Sequence, residues 1–544
     1  MRTTRDALFE AIIDHPEDDA LRLVYADWLE EYGNKSEVAR AEYIRLAVEK
    51  ARLPQSDPRR EGLLRRMRVL LKEHRSRWFP DSPLVHDSPW KARHRGFIRH
   101  ARGTAIQFNE YAGSLFAAEP VTGLYLEPGE AGFEQFAASP FLSRLRDIHF
   151  PKGSLPPGGL AHVAGRLSSL QTLRLSYWKA SHAELEVLAS ESWPYLKEFM
   201  SLGCGLDDHA LGLLVRMNAP RMNCLQLACE WFGARGVDHL LSAPWLAQLT
   251  QLNLTMMGQP LTPDALQALA QSPQLASLRA LNLSHNRLGP EGVKVLAESP
   301  YLGEVRRLDL SYTDGGAGGL ISLFNSPTLR QVRDLSYGSN ALDFTAIEEC
   351  KVAPWPFLRH LYINPLSDQG LSWLLDRSLL NSVRHLWLSS AGLTGTGFLA
   401  LLRSPLSQSL VSLILSSNHL GSLDGLPSSI DLPQLRSLEL NHCHLGDQGA
   451  VRLLQALRAP NLRKLSLYQN ELSNEAVQAL TCNPTLHNLE ELSMSYHSGI
   501  DDEGARLFRE SPCLDRLDRL MLMETGISDD ALANLRKRFR QVHR

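Results

Sequence analysis

The chain has 544 residues, 44% hydrophobic and 22% charged, with a formal net charge of −3. These proportions exclude an intrinsically disordered chain, and no apolar run approaches the ~18 residues of a membrane span. The seven cysteines include no Cys-x-x-Cys, so they read as reduced, buried thiols rather than a disulfide or zinc framework. The stretch from Met1 to Asp14 is amphipathic and carries acids where a secretory segment would be apolar, so the expectation is a cytoplasmic protein.

Residues 1–55 do not repeat and predict a small all-α module. A first helix runs from about Thr4 to Asp14 and breaks at His15-Pro16-Glu17-Asp18-Asp19. A second, from about Ala20 to Tyr32, places Leu21, Val24, Tyr25, Trp28 and Leu29 on one face, and Gly33 closes it. A third starts near Ser36 and carries Tyr43, Ile44 and Ala47. The run Asp18-Asp19-Ala20-Leu21-Arg22-Leu23-Val24-Tyr25-Ala26-Asp27-Trp28-Leu29-Glu30-Glu31, followed by Ala41-Glu42-Tyr43-Ile44-Arg45-Leu46, closely resembles the bacterial repeat-companion domain. That family is a short helical module at the N-termini of bacterial repeat proteins. The resemblance implies a bacterial chain and a repeat array downstream, and it implies no chemistry. Family members place Gly just before Glu-Phe-Ile-Arg-Leu. Ala41 and Tyr43 depart from that pattern and predict a third helix that runs through unbroken.

Residues 56–103 read as the cap of the array, because the end of a stacked array is apolar and needs cover. A fourth helix is expected from about Asp57 to Phe79, with Leu63, Met67, Leu70, Leu71, His74 and Trp78 as its apolar stripe. A proline-containing stretch follows from Pro80 to Pro89, and Arg95-Gly96-Phe97-Ile98-Arg99 reads as a first, atypical strand. Between Arg59 and Gly103 there are 13 Lys/Arg against 4 Asp/Glu, a basic excess that could meet nucleic acid or an acidic surface. No groove-reading motif accompanies it, and a solvated helix face accounts for it equally.

From residue 104 to 544 one pattern returns every 24 to 29 residues. Its strand cores are Leu124-x-Leu126, Ile148-x-Phe150, Leu173-x-Leu175, a degenerate copy at Phe199, Leu225-x-Leu227 and Leu252-x-Leu254. They continue through Leu281, Leu308, Leu335, Leu361, Leu386, Leu413, Leu438, Leu465 and Leu492 to Leu520-x-Leu522. Three residues past the second apolar position Asn recurs at Asn286, Asn340, Asn418 and Asn470, with Cys204, Cys443, Thr313 and Thr525 in the same slot. A stacked side chain there can satisfy the polar backbone of a buried turn. Trp178, Glu230, Leu366 and Ala391 break the series and predict irregular turns.

Each strand leads to a helix with clear start signals, as at Leu261-Thr262-Pro263-Asp264, Ser473-Asn474-Glu475 and Ser528-Asp529-Asp530. Each helix stops at a Ser-Pro or Ala-Pro, such as Ser272-Pro273, Ser299-Pro300, Ser326-Pro327 and Ser511-Pro512. Gly315-Gly316-Ala317-Gly318-Gly319 replaces one helix start and reads as a loop. Leu-x-x-Leu-x-Leu-x-x-Asn at this period is the leucine-rich-repeat pattern, and a helix on every repeat resembles its ribonuclease-inhibitor type. That resemblance implies an α/β solenoid shaped as a horseshoe, with a parallel sheet lining a concave inner face and helices outside. The last helix begins at Ser528, and Arg536, Lys537, Arg538 and Arg540 crowd its final turns, where cations oppose the negative helix end.

The residue between the two strand leucines points away from the core. His360 and Tyr362 on one strand, with His385 and Trp387 on the next, thus fall together on the wet face. Arg307, Asp309 and Glu439 share that face. Large aromatics are enriched at binding hot spots; the alternative is that the rings shield the sheet or pack on one another. Sixteen strands at ~4.8 Å with a strip four residues wide offer on the order of 1,000 Å², against ~800 Å² per partner in a standard interface.

Enzyme signatures are weak. Cys513-Leu514-Asp515 matches the Cys-x-Asp of bacterial ubiquitin ligases that carry leucine-rich repeats. There, however, the motif sits in a separate domain, and here it sits within a Ser-Pro step. Cys224 and Cys229 lack a zinc-type partner pair. The expectation is a non-enzymatic, cofactor-free and metal-free monomer that binds a protein partner on the concave face, with neither nucleic acid nor membrane as its main partner. Regulation of another enzyme, as an inhibitor or a GTPase-activating protein, is the alternative, with nucleic-acid association through residues 59–103 as a third class.

Overall fold

The computed structural model describes residues 4–54, 57, 59–79, 82–85, 93–179, 181–259, 261–344 and 352–544. Most of the expected stretch Pro80–Pro89 lies outside them. The chain divides into two compact units, Met1–Leu249 and Thr250–Arg544.

The first unit opens with helices Thr4–Asp14, Asp19–Tyr32, Lys35–Arg52 and Arg59–Trp78. Asp18 caps the second, its carboxylate accepting the Ala20 amide at 2.8 Å. The third starts in a capping box: Asn34 Oδ1 accepts the Ser36 and Glu37 amides, and the Glu37 carboxylate accepts the Asn34 amide at 2.9 Å. It runs unbroken through Ala41 and Tyr43. Ile12, Tyr25, Ala26, Leu29, Ala41, Ile44 and Val48 close around Phe97, which comes from beyond the fourth helix.

Phe97 belongs to a hairpin, Arg93–His94 against Phe97–Ile98, and not to the single strand expected over 95–99. Arg95 (φ 50°) and Gly96 (φ 92°) make its turn, which breaks any strand there. The first strand of the sheet is His100–Gly103, which pairs in parallel with Gly123–Leu126.

One buried ion pair ties the helices to the array. Arg40 Nη2 donates to Glu119 Oε1 at 2.7 Å, and Glu119 Oε2 accepts the Ile98 amide at 2.8 Å. The Glu119 side chain is 0% exposed. A charge in that position is tolerable only because it is paired and hydrogen-bonded. The sheet of this unit then continues through Asp147–Phe150, Thr172–Ser176, Glu198–Leu202 and Cys224–Ala228, all parallel.

Among the described residues the main sheet of the second unit has twelve parallel strands, from Gln251–Asn253 to Gln541–His543, and Ile430–Asp431 pairs separately with Leu457–Arg458. Leu252, Leu281, Leu308, Leu335 and Leu361 pair in one register. Leu386, Leu413, Leu438, Leu465, Leu492 and Leu520 continue it. All are buried. The last strand pairs Leu520 with Val542 and lies beyond the helix Asp529–Arg538, so that helix is not the final element. Gln-Val-His offers one apolar residue where the pattern has two, which hid the strand. Gly315–Gly319 is not a loop either: a helix spans Gly316–Asn325. The Tyr337 hydroxyl donates to the Gly316 carbonyl at 2.9 Å. A Cβ on Gly315 would meet that hydroxyl at 2.3 Å, so the tyrosine fills the space where side chains would stand.

The turns after the strands are buried, and their backbone groups are satisfied from the next repeat. Asn286 Oδ1 accepts the Met257 amide at 3.0 Å while its Nδ2 donates to the Leu254 and Leu283 carbonyls at 2.7 and 2.9 Å. Asn340, Asn418 and Asn470 repeat this arrangement. Glu230 does not interrupt the series, contrary to expectation. Its buried carboxylate accepts the Cys204 and Leu206 amides at 3.1 and 2.8 Å and the Ser201 hydroxyl at 2.7 Å. Burial pushes its pKa up and these donors pull it down, with the upward shift prevailing. Nor is the turn at Ala391 left open, because Asn418 accepts its amide at 3.1 Å.

His497 is a further rung. Its Nδ1 faces the Asn470 and Leu472 amides, both at 3.4 Å, and its Nε2 faces the Leu467 carbonyl at 2.8 Å. Only the neutral ring with its proton on Nε2 fits all three partners. On the helix side, Ser299, Ser326 and Ser511 donate to carbonyls of the preceding repeat, Ala270, Ala297 and Thr481.

Two predictions follow from these buried groups. Arg40→Ala removes the Arg40 guanidinium from the buried Glu119 carboxylate and should cost about 3–5 kcal/mol in urea unfolding; a loss under about 1 kcal/mol would show that the pair anchors nothing. Burial lowers the His497 pKa below 6.5, so the unfolded chain takes up that proton first. The stability it contributes is therefore present above about pH 6.5 and lost as pH falls. His497→Asn should keep neutral-pH stability and flatten the acid-side loss, while His497→Leu should cost about 1–3 kcal/mol at neutral pH. An unchanged acid-side slope in His497→Asn would assign the acid sensitivity to another group.

Candidate functional site

The strands alternate strictly, so one residue in two faces solvent. His360 pairs with His385, and Tyr362 with Trp387, in adjacent register on strands His360–Asn364 and His385–Trp387. All four are half-buried. The His360 and His385 rings stack with centroids 4.4 Å apart and an interplanar angle of 22°. Trp387 lies 6.0 Å from His360 and 6.2 Å from His385, nearly parallel to both. Tyr362 covers Gly338 of the preceding strand, where a Cβ would meet its Cε1 at 2.2 Å, and Asn364 Nδ2 donates to its hydroxyl at 3.2 Å. His360, His385 and Trp387 thus stack into one aromatic platform, and Tyr362 rests on the sheet over Gly338 of the preceding strand.

Asp334, one strand earlier, bonds His360 Nδ1. Burial, then the neighbouring His360, lowers the pKa of His385, against the pull of Asp334. His385 is therefore neutral at pH 7.

The remaining expected site residues do not join this group. Arg307 is exposed two strands away from His360. Asp309 Oδ1 accepts the Ser311 amide at 3.0 Å and so closes its own turn. Glu439 is paired with Lys464 at 2.5 Å.

Sequence reasoning missed a second row. At many repeats the residue two past the second apolar strand position adopts left-handed backbone: φ is 57° at His285, 57° at Tyr312, 53° at His442 and 62° at Tyr496. These side chains project into solvent at the carboxyl ends of the strands. Beside the aromatic platform this corner is small, with Ser339, Pro365 and Ser390, so the platform stands unscreened. The signal was present in the sequence as bulky residues at one fixed offset, but a left-handed backbone is not written in residue type.

The basic segment is compensated in part. Arg59 pairs with Asp57, Arg66 with Glu42, Arg95 and Arg99 with Glu17, and Arg102 with Glu127. Arg65, Lys72 and Arg77 stay exposed. Cys513 lies in a Ser-Pro step, its amide donating to the Ser511 hydroxyl, and Asp515 pairs with Arg538 at 3.0 Å. Among the described residues no cluster of His, Cys, Asp and Glu could hold a metal ion. No helix among them is long and apolar enough to cross a membrane.

A family profile described as "Leucine Rich repeat" matches residues 274–297, 432–454 and 485–508. The repeats are leucine-rich repeats. Each matched segment runs through the leucine of a Pro-x-Leu step, Leu275, Leu435 or Leu486, and through one strand into the helix that follows. The α/β leucine-rich-repeat solenoid is thus the fold of this chain. Among solved structures, a chain of the yeast Rad7 and Elc1 complex is similar at 14% identity and TM-score 0.34, covering 80% of this chain and 85% of that one. The internalin InlF of Listeria monocytogenes is similar at 16% identity and TM-score 0.34, over 67% of this chain and 88% of that one. A chain of the TLR13-ssRNA13 complex shares 16% identity at TM-score 0.40, over 76% of this chain and 56% of that one. The register of the ladder, rather than these distant likenesses, defines the fold. None of the curated proteins matches the chain in sequence.

Removing the neighbouring imidazole should release His385. In His360→Asn the His385 pKa should rise toward 6.5, followed by the proton NMR titration of its ring. An unmoved titration would mean that burial alone sets it.

Proposed function

We propose that this chain is a non-enzymatic interaction scaffold or sensor that holds a protein partner on the open, concave strand face of its leucine-rich repeats. The contact is centred on His360, Tyr362, His385 and Trp387, with Arg307, Asp309 and Glu439 at its margins. The observation that carries this reading is the aromatic platform itself. Four large side chains lie in register on two adjacent strands, half-exposed, at the place where the corner residues are small. A partner that covers these rings removes apolar surface from water with little ordering left to do, because His360, His385 and Trp387 already stack and Tyr362 rests on the sheet.

The protein acts as a cytoplasmic monomer in this reading. Residues 1–55 serve as a companion module, residues 56–103 as the cap, and residues 104–544 as the binding array. Support for a protein partner also comes from what the surface lacks. Five of the thirteen basic groups of residues 59–103, Arg59, Arg66, Arg95, Arg99 and Arg102, are met by carboxylates of the same unit, which lowers the charge left for nucleic acid.

The test is affinity capture with the full tagged chain and quantitative mass spectrometry. Tyr362→Ala combined with Trp387→Ala should reduce recovery of the captured partner at least roughly tenfold, as expected for hot-spot aromatics worth about 2 kcal/mol or more. The melting temperature should stay near that of the parent chain, since both rings are half-exposed. Undiminished capture would reject the platform as the contact.

A further inference from the structure

The second unit holds another aromatic group, away from the strand platform, at the carboxyl edge of its last strands. His442, Tyr468 and Tyr496 follow the strands Ser437–Glu439, Lys464–Ser466 and Glu491–Ser493, one ring per repeat. Their centroids are 5.0 Å apart from His442 to Tyr468 and 4.8 Å apart from Tyr468 to Tyr496. Tyr496 is 44% exposed and sits at φ 62°; His442 is exposed at φ 53°. A left-handed backbone disfavours a bulky side chain by about 1–2 kcal/mol, and water disfavours an exposed ring. Tyr496 is unfavourable on both counts, and stability alone would place Gly or Asn there.

The same chain shows what such rings meet. Arg102 lies over the Tyr125 ring at 4.8 Å, and Arg221 over Tyr195 at 5.1 Å. Among the described residues no arginine or lysine lies over Tyr468 or Tyr496. Two carboxylates accompany these rings at neighbouring turns, Glu471 (φ 58°) and Glu524 (φ 51°), both exposed. The strand-face carboxylates Glu439 and Glu491 are paired, with Lys464 and Arg519. Glu471 and Glu524 form no ion pair among the described residues. Partly exposed rings with no cation over them, at turns next to carboxylates without an ion pair among the described residues, make a complement to a planar cation.

We propose that this edge binds an extended, arginine-bearing segment of a partner protein, one guanidinium lying over Tyr468 and Tyr496 and donating to Glu471 or Glu524. Arginine fits better than lysine because its flat fork stacks on a ring and still bonds a carboxylate side-on. The ring row is short, and about three residues of extended chain at 3.3–3.6 Å each cover it. The proposal rests on the protein-interaction reading above and gives that partner a second contact of stated chemistry.

The test uses the full chain and a fluorescein-labelled Gly-Arg-Ser-Arg-Gly peptide, followed by anisotropy at low and high salt. A second peptide carries citrulline, the neutral isostere, in place of both arginines. The arginine peptide should bind, weaken with salt, and bind more tightly than its citrulline counterpart by roughly tenfold. Tyr496→Leu and Glu524→Gln should each weaken it roughly three- to tenfold. Where Tyr496→Leu lowers the melting temperature, Glu524→Gln alone decides. Tyr362→Ala with Trp387→Ala should leave peptide affinity unchanged, which separates this site from the strand platform. No binding of the arginine peptide, equal binding of the two peptides, preference for an oligouridylate probe, or loss of binding in the strand-platform variant alone would each overturn the proposal.

Discussion

Every repeat of this protein must bury a turn, and every buried turn carries amides and carbonyls that water cannot reach. The side chain three residues past the second strand leucine resolves this by reaching back into the preceding turn. Asparagine suits the task because one amide accepts and donates at once. Asn286, Asn340, Asn418 and Asn470 each accept turn amides with Oδ1 and donate to carbonyls with Nδ2. The requirement is for hydrogen bonds, not for asparagine. Glu230 meets it where donors dominate, and His497 meets it with one ring nitrogen of each kind. An unsatisfied buried polar group costs about 1–3 kcal/mol, so a missing rung would be felt.

The same requirement shapes the outer surface. Where a side chain reaches inward, as at Asn286, Cys443 and Asn470, the residue before it (His285, His442 and Gln469) takes left-handed backbone with its side chain in solvent. The array thereby acquires a row of projecting positions along one edge of its sheet, in addition to the row on the strand face. The two rows are filled in alternation. Where the strands carry Tyr362 and Trp387, the corners are Ser339, Pro365 and Ser390. Where the corners carry His442 and Tyr496, the strand residues are small or paired, as at Ser466, Ser493 and Glu439. A partner therefore meets relief rather than a uniform strip, and relief is what distinguishes one partner from another.

The start of the first unit obeys a different constraint. Three helices close around Phe97 of the hairpin, and Glu119 joins the two by accepting from Arg40 of the third helix and from the Ile98 amide of the hairpin. Arg22 plays a similar part inside the helical module. It is buried beneath Phe97, donates to the Asp18 carbonyl at 2.9 Å, and is pushed down to about 10 by burial and by Arg95. Much of the basic excess in this region is thus structural, spent on carboxylates and carbonyls of the same unit.

The period of the leucines, the capping serines and threonines, and the Ser-Pro stops determine the repeats, the strand register and the helices. Those features are local, and each repeat needs only its neighbours. Tyr362 and Trp387 were likewise legible as wet-face neighbours, because strand alternation and a fixed period place them there. Other features depended on pairing across repeats, and only the tertiary structure decided them. The strand at Gln541–His543 exists because Leu520 has an open edge beside it, not because of its own apolar content. Asp309 and Glu439 are held to the margin of the platform by a turn amide and by Lys464. Whether Glu230 or His497 breaks the ladder or completes it turns on which backbone groups lie within 3.5 Å of it, and that is fixed by the stacking of one repeat on the next.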